Sequence, residues 1–252
     1  MSDFFELLEQ HYASQLPFVI YHKPYAANIV MHMLPTAELC QIENFEASGF
    51  VFAPFNLKEK AVLFPQKSLE TKEVKVADIS LDGLTFEAKS IDEDDTAKEA
   101  YLDLLHKTIQ EIRIDQALDK IVTSRQINFK KENLKASLLF KKMLKAYPNA
   151  MAYIWYHPQV GFWAGATPET LIKFKRNQLQ TMALAGTRHK NVMAENPFTE
   201  KEKKEQAFVT EQILEALEKT KAKSISTSEL KTAEAGDLIH LLTEISAQIQ
   251  LE

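Results

Sequence analysis

The spacing of the apolar residues changes along the chain and divides it into predicted helices and strands. Apolar positions that recur every three or four residues are typical of a helix with one buried face. Helices are predicted over residues 3–15, from Thr96, over about 134–147, from near Thr199 and from near Asp237. Short runs of β-branched and aromatic residues predict strands at 17–21, 49–55, 61–65, 118–125, 152–156 and 161–164. Residues 66–95 are acidic and only weakly patterned.

A predicted hairpin with strands at 171–175 and 179–184 organises the rest of the chain. Two small-residue turns, at 165–169 and 183–187, flank this hairpin and are expected at the same edge of a sheet. The carboxyl group of Glu169 and the backbone amides of the second turn are therefore expected to face one site. Small residues there would let a ligand approach the backbone closely.

Helices alternate irregularly with strands and hairpins, which favours an α+β fold built on mostly antiparallel sheets. The sequence contains no Gly-rich dinucleotide motif, no P-loop and no His-Glu-x-x-His motif. Because no linker or repeat divides the chain, we expect one structural domain.

The composition is typical of a soluble globular protein, with 252 residues, 45% of them hydrophobic and 26% charged. A net charge of −5 provides no basic field for nucleic acid, so that partner is not expected. Cys40 is the only cysteine, which excludes an internal disulfide and fits a reducing compartment. The N-terminal residues lack a secretory pattern and no apolar run is long enough to span a membrane. We therefore expect a cytoplasmic protein without a membrane partner.

Lys120 is the first candidate for chemistry. Since alternate side chains of a strand share a face, Lys120 would lie between Leu118 and Val122 on an apolar face. A lysine that loses solvation there would act as a general base. The alternative is a lysine at the edge of the sheet whose amine reaches water.

Glu169 follows Thr167-Pro168, directly after a predicted strand. It would act as a general acid if apolar neighbours such as Trp163 removed water from its carboxyl group. The alternative is an ordinary turn carboxylate, favoured by the dipole of a following helix.

Glu205 falls on the apolar face of the helix that starts with the capping box Thr199-x-x-Glu202. A buried carboxylate needs a partner, and Mg²⁺ suits a carboxylate site completed by water and substrate oxygens. The alternative is a first turn that extends beyond the core, with Glu205 in solvent.

His240 stands beside Leu241 and Leu242 in the helix predicted from near Asp237. Glu244 follows four residues later and could hold the imidazole by a side-chain contact. A histidine on an apolar helix is more often a core residue than a ligand, and this spacing alone does not define a metal site.

Five motifs around these residues occur in the order, and at the spacing, of one family. They are LDKIVTSR at Lys120, GFWAGATPETL at Glu169, TMALAGTR ending at Arg188, KEKKEQAFV at Glu205 and GDLIHLLT at His240. Together they resemble the chorismate-binding enzymes, most closely the isochorismate synthases. The resemblance covers residues 96–252 as the catalytic region, whereas residues 1–95 resemble the N-terminal part only weakly, through GFVFAPF. It implies the fold of component I of anthranilate synthase, with antiparallel sheets flanked by helices.

The resemblance also implies a role for each matching residue. Lys120 matches the base that activates water for attack on ring carbon 2 of chorismate. Glu169 matches the acid that protonates the hydroxyl leaving ring carbon 4, and Glu205 matches a ligand of the Mg²⁺ that holds the ring carboxylate. The other matches bind substrate: Ala185, Gly186 and Thr187 in a carboxylate-binding turn, and His240 and Thr243 in the wall of the pocket.

Two positions distinguish members of the family by their nucleophile. Members that use ammonia usually carry glutamine at the position of Lys120, and aminodeoxychorismate synthases carry lysine at the position of Ala185. The resemblance therefore implies a Mg²⁺-dependent isochorismate synthase that uses water, acts on chorismate and has no obligate protein partner. Salicylate synthases share both residues and add a lyase step, so they stay an alternative.

The chain departs from the family pattern in three places. Gln206 stands where the family has histidine, and the loop 188–199 is short. Family members continue beyond the position of Glu252, with further strands, a substrate-binding arginine and a second magnesium glutamate. We therefore expect either a catalytic region that is incomplete at its C-terminus or a natural protein that keeps the fold for binding or regulation without catalysis.

Overall fold

The computed structural model describes residues 2–44, 46–56, 58–86, 94–115, 117–128 and 133–250. The chain forms two compact units, one from residues 1–84 with 135–252 and the other from residues 85–134. The helices of the described part are α1 (Ser2–Ala13), α2 (Asp95–Ile114), α3 (Ala136–Ala146) and α4 (Glu200–Lys219). Of these helices, α2 belongs to the second unit and the others belong to the first.

All strands of the described part lie in the first unit. In chain order they are β1 (Phe18–His22), β2 (Asn28–Met33), β3 (Gln41–Ile42), β4 (Gly49–Phe52), β5 (Ala61–Pro65), β6 (Glu70–Lys75), β7 (Met151–His157), β8 (Gly161–Thr167), β9 (Lys173–Lys175), β10 (Gln178–His189), β11 (Lys223–Thr227), β12 (Lys231–Ala235) and β13 (Leu238–Gln248). Every described strand pairing is antiparallel. The predicted α+β fold with antiparallel sheets and flanking helices is therefore confirmed.

The first sheet has the strand order β6-β2-β1-β7-β8. Helices α1 and α3 pack on one face of it, because Leu8 of α1 and Phe140 and Leu144 of α3 form one apolar cluster with β1, β2 and β7. The carboxylate of Glu9 also accepts hydrogen bonds from the backbone N and Oγ of Ser137, at 2.8 and 2.6 Å. It therefore caps the first turn of α3 and joins the two helices.

A three-stranded sheet in the order β3-β5-β4 contributes a second cluster. Phe64 and Val62 of β5 pack in this cluster with Val19 and Trp155 of the first sheet. The central strands β1 and β7 therefore contribute to clusters on both of their faces, which is why their apolar residues form nearly continuous runs.

The second sheet has the order β11-β13-β10-β9, and β12 also pairs with β13. Helix α4 packs on one of its faces, where Leu217 joins a cluster with residues of β10 and β13. The side chains of β13 that face this side are Leu241, Thr243, Ile245 and Ala247, with at most 6% of each residue exposed. Their spacing of two is that of a strand.

This spacing overturns the helix predicted from near Asp237. Residues Leu238–Gln248 form β13, and Gly236 and Asp237 are the loop of the hairpin between β12 and β13. Leu242 is also buried, on the other face, so the sequence has consecutive apolar residues that are equally typical of a helix.

The strand predicted at residues 118–125 is also wrong. The described residues 117–128 form neither a helix nor a strand, and Val122 is 80% exposed. β-branched residues favour a strand only when a neighbour pairs with its backbone, and no pairing is described for this segment. The apolar strand face expected around Lys120 is therefore not formed.

Most of the other predicted elements are confirmed, including α1, α2, α3, α4 with its capping box, and the hairpins β7–β8 and β9–β10. Arg176 and Asn177 form the loop of the second hairpin, with φ values of 51° and 63°. Five strands were not predicted: β2, β3, β6, β11 and β12. The side chains of β6 are nearly all exposed, so this charged edge strand has no hydrophobic pattern. Asp94, in the weakly patterned acidic stretch 66–95, caps α2, whereas residues 87–93 of that stretch lie outside the described part.

None of the helices in the described part of the chain combines the length and apolar character required to cross a bilayer.

Candidate active site

A β-bulge in β10 lies at the centre of the candidate site. Ala185 pairs with Leu241 and Thr187 pairs with His240, so Gly186 is an extra residue without a partner on β13. The φ angle of Gly186 is +72°, in the left-handed region that glycine adopts without strain. The bulge therefore requires glycine at this position.

The turn predicted at residues 183–187 is wrong, because β10 continues through this segment to His189. The extra residue instead changes the faces of the sheet on which the next side chains lie. Ala185 is on the face covered by α4, as is its partner on β13, whereas Thr187 is on the opposite face. Arg188, the next residue, returns to the α4 face.

On the face opposite to α4, His240 is the central polar residue. Its Nδ1 lies 3.0 Å from Thr187 Oγ1, its partner across the strands. Burial lowers the pKa of His240 below its usual value, and the negative charge of Glu169 acts in the opposite direction. The imidazole is therefore neutral near pH 7, and Glu169 lies within electrostatic reach of it.

Glu169 lies in the loop that follows β8, and its side chain is exposed. Its backbone N donates a hydrogen bond to Thr167 Oγ1 at 3.2 Å. Thr181 Oγ1 of β10 donates to the carbonyl oxygen of Leu171 at 2.6 Å, which holds the loop beside β10. Three residues predicted from the sequence, Glu169, Thr187 and His240, are thus grouped at one end of the second sheet.

On the other face, the first turn of α4 is joined to the bulge by Glu202. This residue is only 7% exposed. Its Oε1 accepts a hydrogen bond from Arg188 Nη2 at 2.8 Å, and its Oε2 accepts from the N and Oγ1 of Thr199 at 2.9 and 2.6 Å. The hydrogen bonds from Thr199 are the main reason that the pKa of Glu202 falls to about 2, and the charge of Arg188 adds to this effect.

Gln206 follows one turn later and is 4% exposed. Its Nε2 donates hydrogen bonds to Thr243 Oγ1 at 2.9 Å and Thr210 Oγ1 at 3.0 Å, with the carbonyl oxygen of Ala183 at 3.3 Å. Thr243 is therefore buried under α4, on the face of β13 opposite to His240. The two residues predicted to line one pocket face different sides of the strand.

Glu205 lies on α4 beside Gln206 and is half-buried. The buried carboxylate of this helix is Glu202, almost one turn earlier than the sequence predicted. Within the described residues, no group of three or more His, Cys, Asp or Glu side chains is arranged to hold a metal ion. Magnesium often takes one or two protein carboxylates and completes its six oxygen ligands from water and substrate, so a single carboxylate at Glu205 fits that mode of binding.

Lys120 belongs to the second unit, where it is half-buried. In that unit Tyr101 of α2 contacts the segment that follows Lys120: its hydroxyl lies 3.2 Å from Thr123 Oγ1, and the Arg125 guanidinium lies 5.6 Å from the centre of its ring. The placement of Lys120 opposite Glu169 stays a prediction.

Three residues of this region, Arg188, Glu202 and Gln206, were not predicted to contribute to the site. The Thr199-x-x-Glu202 motif identified the start of a helix but gave no sign that its glutamate would also bind an arginine. Gln206 follows Glu205 directly, so a helical period that placed Glu205 on the buried face placed Gln206 outside it. In the structure Gln206 is the buried residue of the two. The bulge was the missing information, because it alone directs Arg188 towards α4.

Comparison with known proteins identifies the family. The sequence profile of a family described as chorismate binding enzyme matches residues 48–252. The chain belongs to the chorismate-binding enzyme family. No curated protein sequence matches the chain significantly.

Two solved structures share the fold of this chorismate-binding family member. One is DhbC of Bacillus anthracis, assigned as a 2,3-dihydroxybenzoate-specific isochorismate synthase, with a TM-score of 0.68 and 17% sequence identity. The match covers 98% of this chain and 71% of the DhbC chain. MenF of Escherichia coli, the menaquinone-specific isochorismate synthase, matches with a TM-score of 0.56 and 12% identity over 93% of this chain. The chain spans 65% of the length of MenF.

Proposed function

We propose that this member of the family is an isochorismate synthase. In this reaction water adds to ring carbon 2 of chorismate and the hydroxyl group at ring carbon 4 leaves, so that substrate and product are isomers. The observation that carries the proposal is the grouping of Glu169, Thr187 and His240 beside a glycine bulge, within the region that matches the family. The fold shared with two isochorismate synthases adds support.

In the proposed reaction Glu169 is the general acid. Its carboxyl group is exposed near His240, so apolar neighbours such as Trp163 do not remove water from it as the sequence predicted. The bound substrate would have to exclude that water for Glu169 to act as an acid. Protonation of the leaving hydroxyl by Glu169 releases it as water. Neutral His240, oriented by Thr187, would offer a hydrogen bond to the ring without adding a positive charge.

Lys120 is the proposed general base. Its amine would take a proton from water as the oxygen attacks ring carbon 2. Lysine at this position together with alanine at 185 favours water over ammonia as the nucleophile. The backbone amides around Gly186 and Thr187 would bind a substrate carboxylate, since Gly186 has no partner on β13 and a bulge leaves the ladder irregular at this point.

Glu205 is the proposed ligand of a magnesium ion. When bound, the ion would neutralise the ring carboxylate of chorismate. The half-buried carboxylate on α4 would supply a protein ligand, and water and substrate oxygens would supply the others.

Replacement of Lys120 tests the proposal. We expect Lys120→Ala to lower the rate of isochorismate formation by about 10²–10⁴-fold, the usual cost of losing a general base. The matched control is Lys107→Ala, which removes an exposed lysine from α2 in the same unit and should change the rate by less than about twofold. Isochorismate formation that is undiminished in Lys120→Ala would refute the role of this residue.

Product analysis of the wild-type protein separates the alternatives. Chorismate is incubated with Mg²⁺, and isochorismate, salicylate and pyruvate are measured by chromatography. Isochorismate alone supports the proposal, whereas salicylate with an equal amount of pyruvate would indicate the additional lyase step of a salicylate synthase. Heat of binding in calorimetry without any product would indicate a non-catalytic binding protein.

A further inference from the structure

The bulge at Gly186 brings the backbone of β10 close to the first turn of α4. A Cβ atom on Gly186 would lie 3.2 Å from the Cβ of Glu202 and 3.5 Å from its carbonyl oxygen. A Cβ atom at position 186 would be crowded by Glu202 at this distance. Glycine, which has no Cβ, therefore allows β10 and α4 to approach each other. Glu202 is therefore the residue of α4 that meets the bulge.

The bulge also determines the partner of this glutamate. Without the extra residue, strict alternation would direct Arg188 away from α4. With it, Arg188 Nη2 lies 2.8 Å from Glu202 Oε1, and the side chains are only 22% and 9% exposed. A charge-assisted contact with so little water around it is stronger than a surface ion pair.

The carboxylate joins the end of β10 to the start of α4. One oxygen binds the arginine that follows the bulge, and the other binds Thr199 at the start of α4. Glu205 lies three residues after Glu202, on the same helix. The position of Glu205 relative to the amides of Gly186 and Thr187 therefore depends on this network.

We propose that Arg188 and Glu202 are positioning residues of the candidate site, whose ion pair holds the bulge and the Glu205 helix in one fixed arrangement. Neither residue touches substrate in this proposal, which rests on the proposed function for the identity of the ligand. Removing a residue that holds a ligand-binding group in place, without touching the ligand itself, commonly lowers affinity or activity by about 10–100-fold.

The experiment compares Arg188→Met with Arg188→Lys and Glu202→Gln in the full chain. Lys190→Met is the matched control, since it removes a cation two residues further on that forms an exposed ion pair with Glu234 at 2.6 Å. In steady-state kinetics with Mg²⁺, we expect Arg188→Met to raise KM for chorismate by about tenfold and to change kcat by less than about threefold. Arg188→Lys should recover part of the loss because it keeps a positive charge, and the control should match the wild type.

A double variant tests whether the two residues act as one unit. The combined Arg188→Met and Glu202→Gln variant should have a KM no higher than that of the worse single variant. Independent, multiplying effects on KM would overturn the proposal, as would an unchanged KM in Arg188→Met.

A measurement without substrate separates this proposal from the proposed function. Hydrogen exchange of the peptide that covers residues 183–189 should be about tenfold faster in Arg188→Met than in Lys190→Met, because the end of β10 is no longer held to α4. Equal exchange in the two variants would overturn the positioning role, whatever the activity. A wild-type protein that binds no chorismate would count against the proposed function, and the exchange result would still decide the role of Arg188.

Discussion

At the scale of single residues, Glu202 is a buried carboxylate whose charge is stabilised by its neighbours in the folded protein. It accepts hydrogen bonds from Arg188 and Thr199 although only 7% of it is exposed. Its folded-state pKa of about 2 is lower than the ordinary value of 4.5, so folding favours the ionised form. This contribution to stability is present above about pH 4.5 and is lost as the pH falls towards 2.

The pH dependence gives a first prediction. We expect Glu202→Gln to lower the urea midpoint of unfolding at pH 7, and the difference from the wild type to shrink steadily between pH 5 and pH 3. Below the ordinary pKa of glutamate the wild-type side chain gains a proton on unfolding, so its advantage over glutamine declines. Urea titrations at pH 7, 5, 4 and 3 measure this, and a difference that is constant over the range would contradict the assigned cause.

Gly186 gives a second prediction. Gly186 and Gly83 both have a left-handed backbone, with φ values of +72° and +69°. A Cβ added at Gly186 would contact Glu202, whereas a Cβ added at Gly83 would have no atom within 4 Å. We expect Gly83→Ala to lower the free energy of unfolding by about 1 kcal/mol, the backbone cost alone. Gly186→Ala should lower it by about 2 kcal/mol or more, because the contact adds to the backbone cost. Equal losses in urea unfolding would show that strand and helix move apart freely at the bulge.

At the scale of the elements, α3 illustrates how a stripe of apolar residues holds a helix on a sheet. Leu144 is 4% exposed and packs in the cluster of the first sheet, whereas Leu138 on the same helix is 42% exposed. The same substitution at the two positions therefore separates burial from helix propensity.

We expect Leu144→Ala to reduce the free energy of unfolding by about 2–5 kcal/mol, the range for leucines that leave a cavity. Leu138→Ala should change it by less than about 1 kcal/mol. Chemical denaturation of the two variants measures both values, and a comparable loss in each would mean that α3 is not held by its buried stripe.

The elements also show which parts of the fold could be predicted from the sequence. α3 and α4 were predictable because their buried residues recur at helical spacing and their ends carry proline or a capping box. β13 was misassigned because its neighbouring leucines are buried on opposite faces, so that the period of two was obscured. β6 could not be found, since a charged edge strand has the pattern of a loop.

The candidate site was predictable to a different extent at each residue. Glu169, Thr187 and His240 were identified and are grouped in the structure, although β13 had been interpreted as a helix. Arg188 and Glu202 could not be paired from the sequence, because a bulge depends on which strand lies opposite. A single unpaired glycine decides the face on which every later side chain of β10 lies.

At the scale of the whole molecule, the two compact units differ in how their helices are buried. α2 and α4 both have 20 residues, but α2 has no buried residue and α4 has three. Several large apolar side chains of the second unit are exposed, among them Leu102, Ile109 and Ile114 of α2. Local stability should therefore differ between the units, because it follows the number of buried contacts.

Hydrogen exchange followed by mass spectrometry tests this difference. We expect amides in the middle of α2 to exchange faster than those in the middle of α4 by about tenfold or more, since opening α2 exposes little additional apolar surface. The equal length of the two helices makes each the control for the other. Equal protection of both would mean that α2 is stabilised by contacts other than those described.

The stacked tryptophans of the first sheet have a consequence for spectroscopy. The chain has two tryptophans, Trp155 and Trp163, which face each other across β7 and β8 with ring centres 6.4 Å apart and planes 4° from parallel. Indole rings so close and so aligned should couple as an exciton pair and give a paired band in circular dichroism. Trp163 is half-exposed, and its strand β8 leads directly into the loop of Glu169. The paired band and the fluorescence of Trp163 should therefore report ligand binding near Glu169 without any added label.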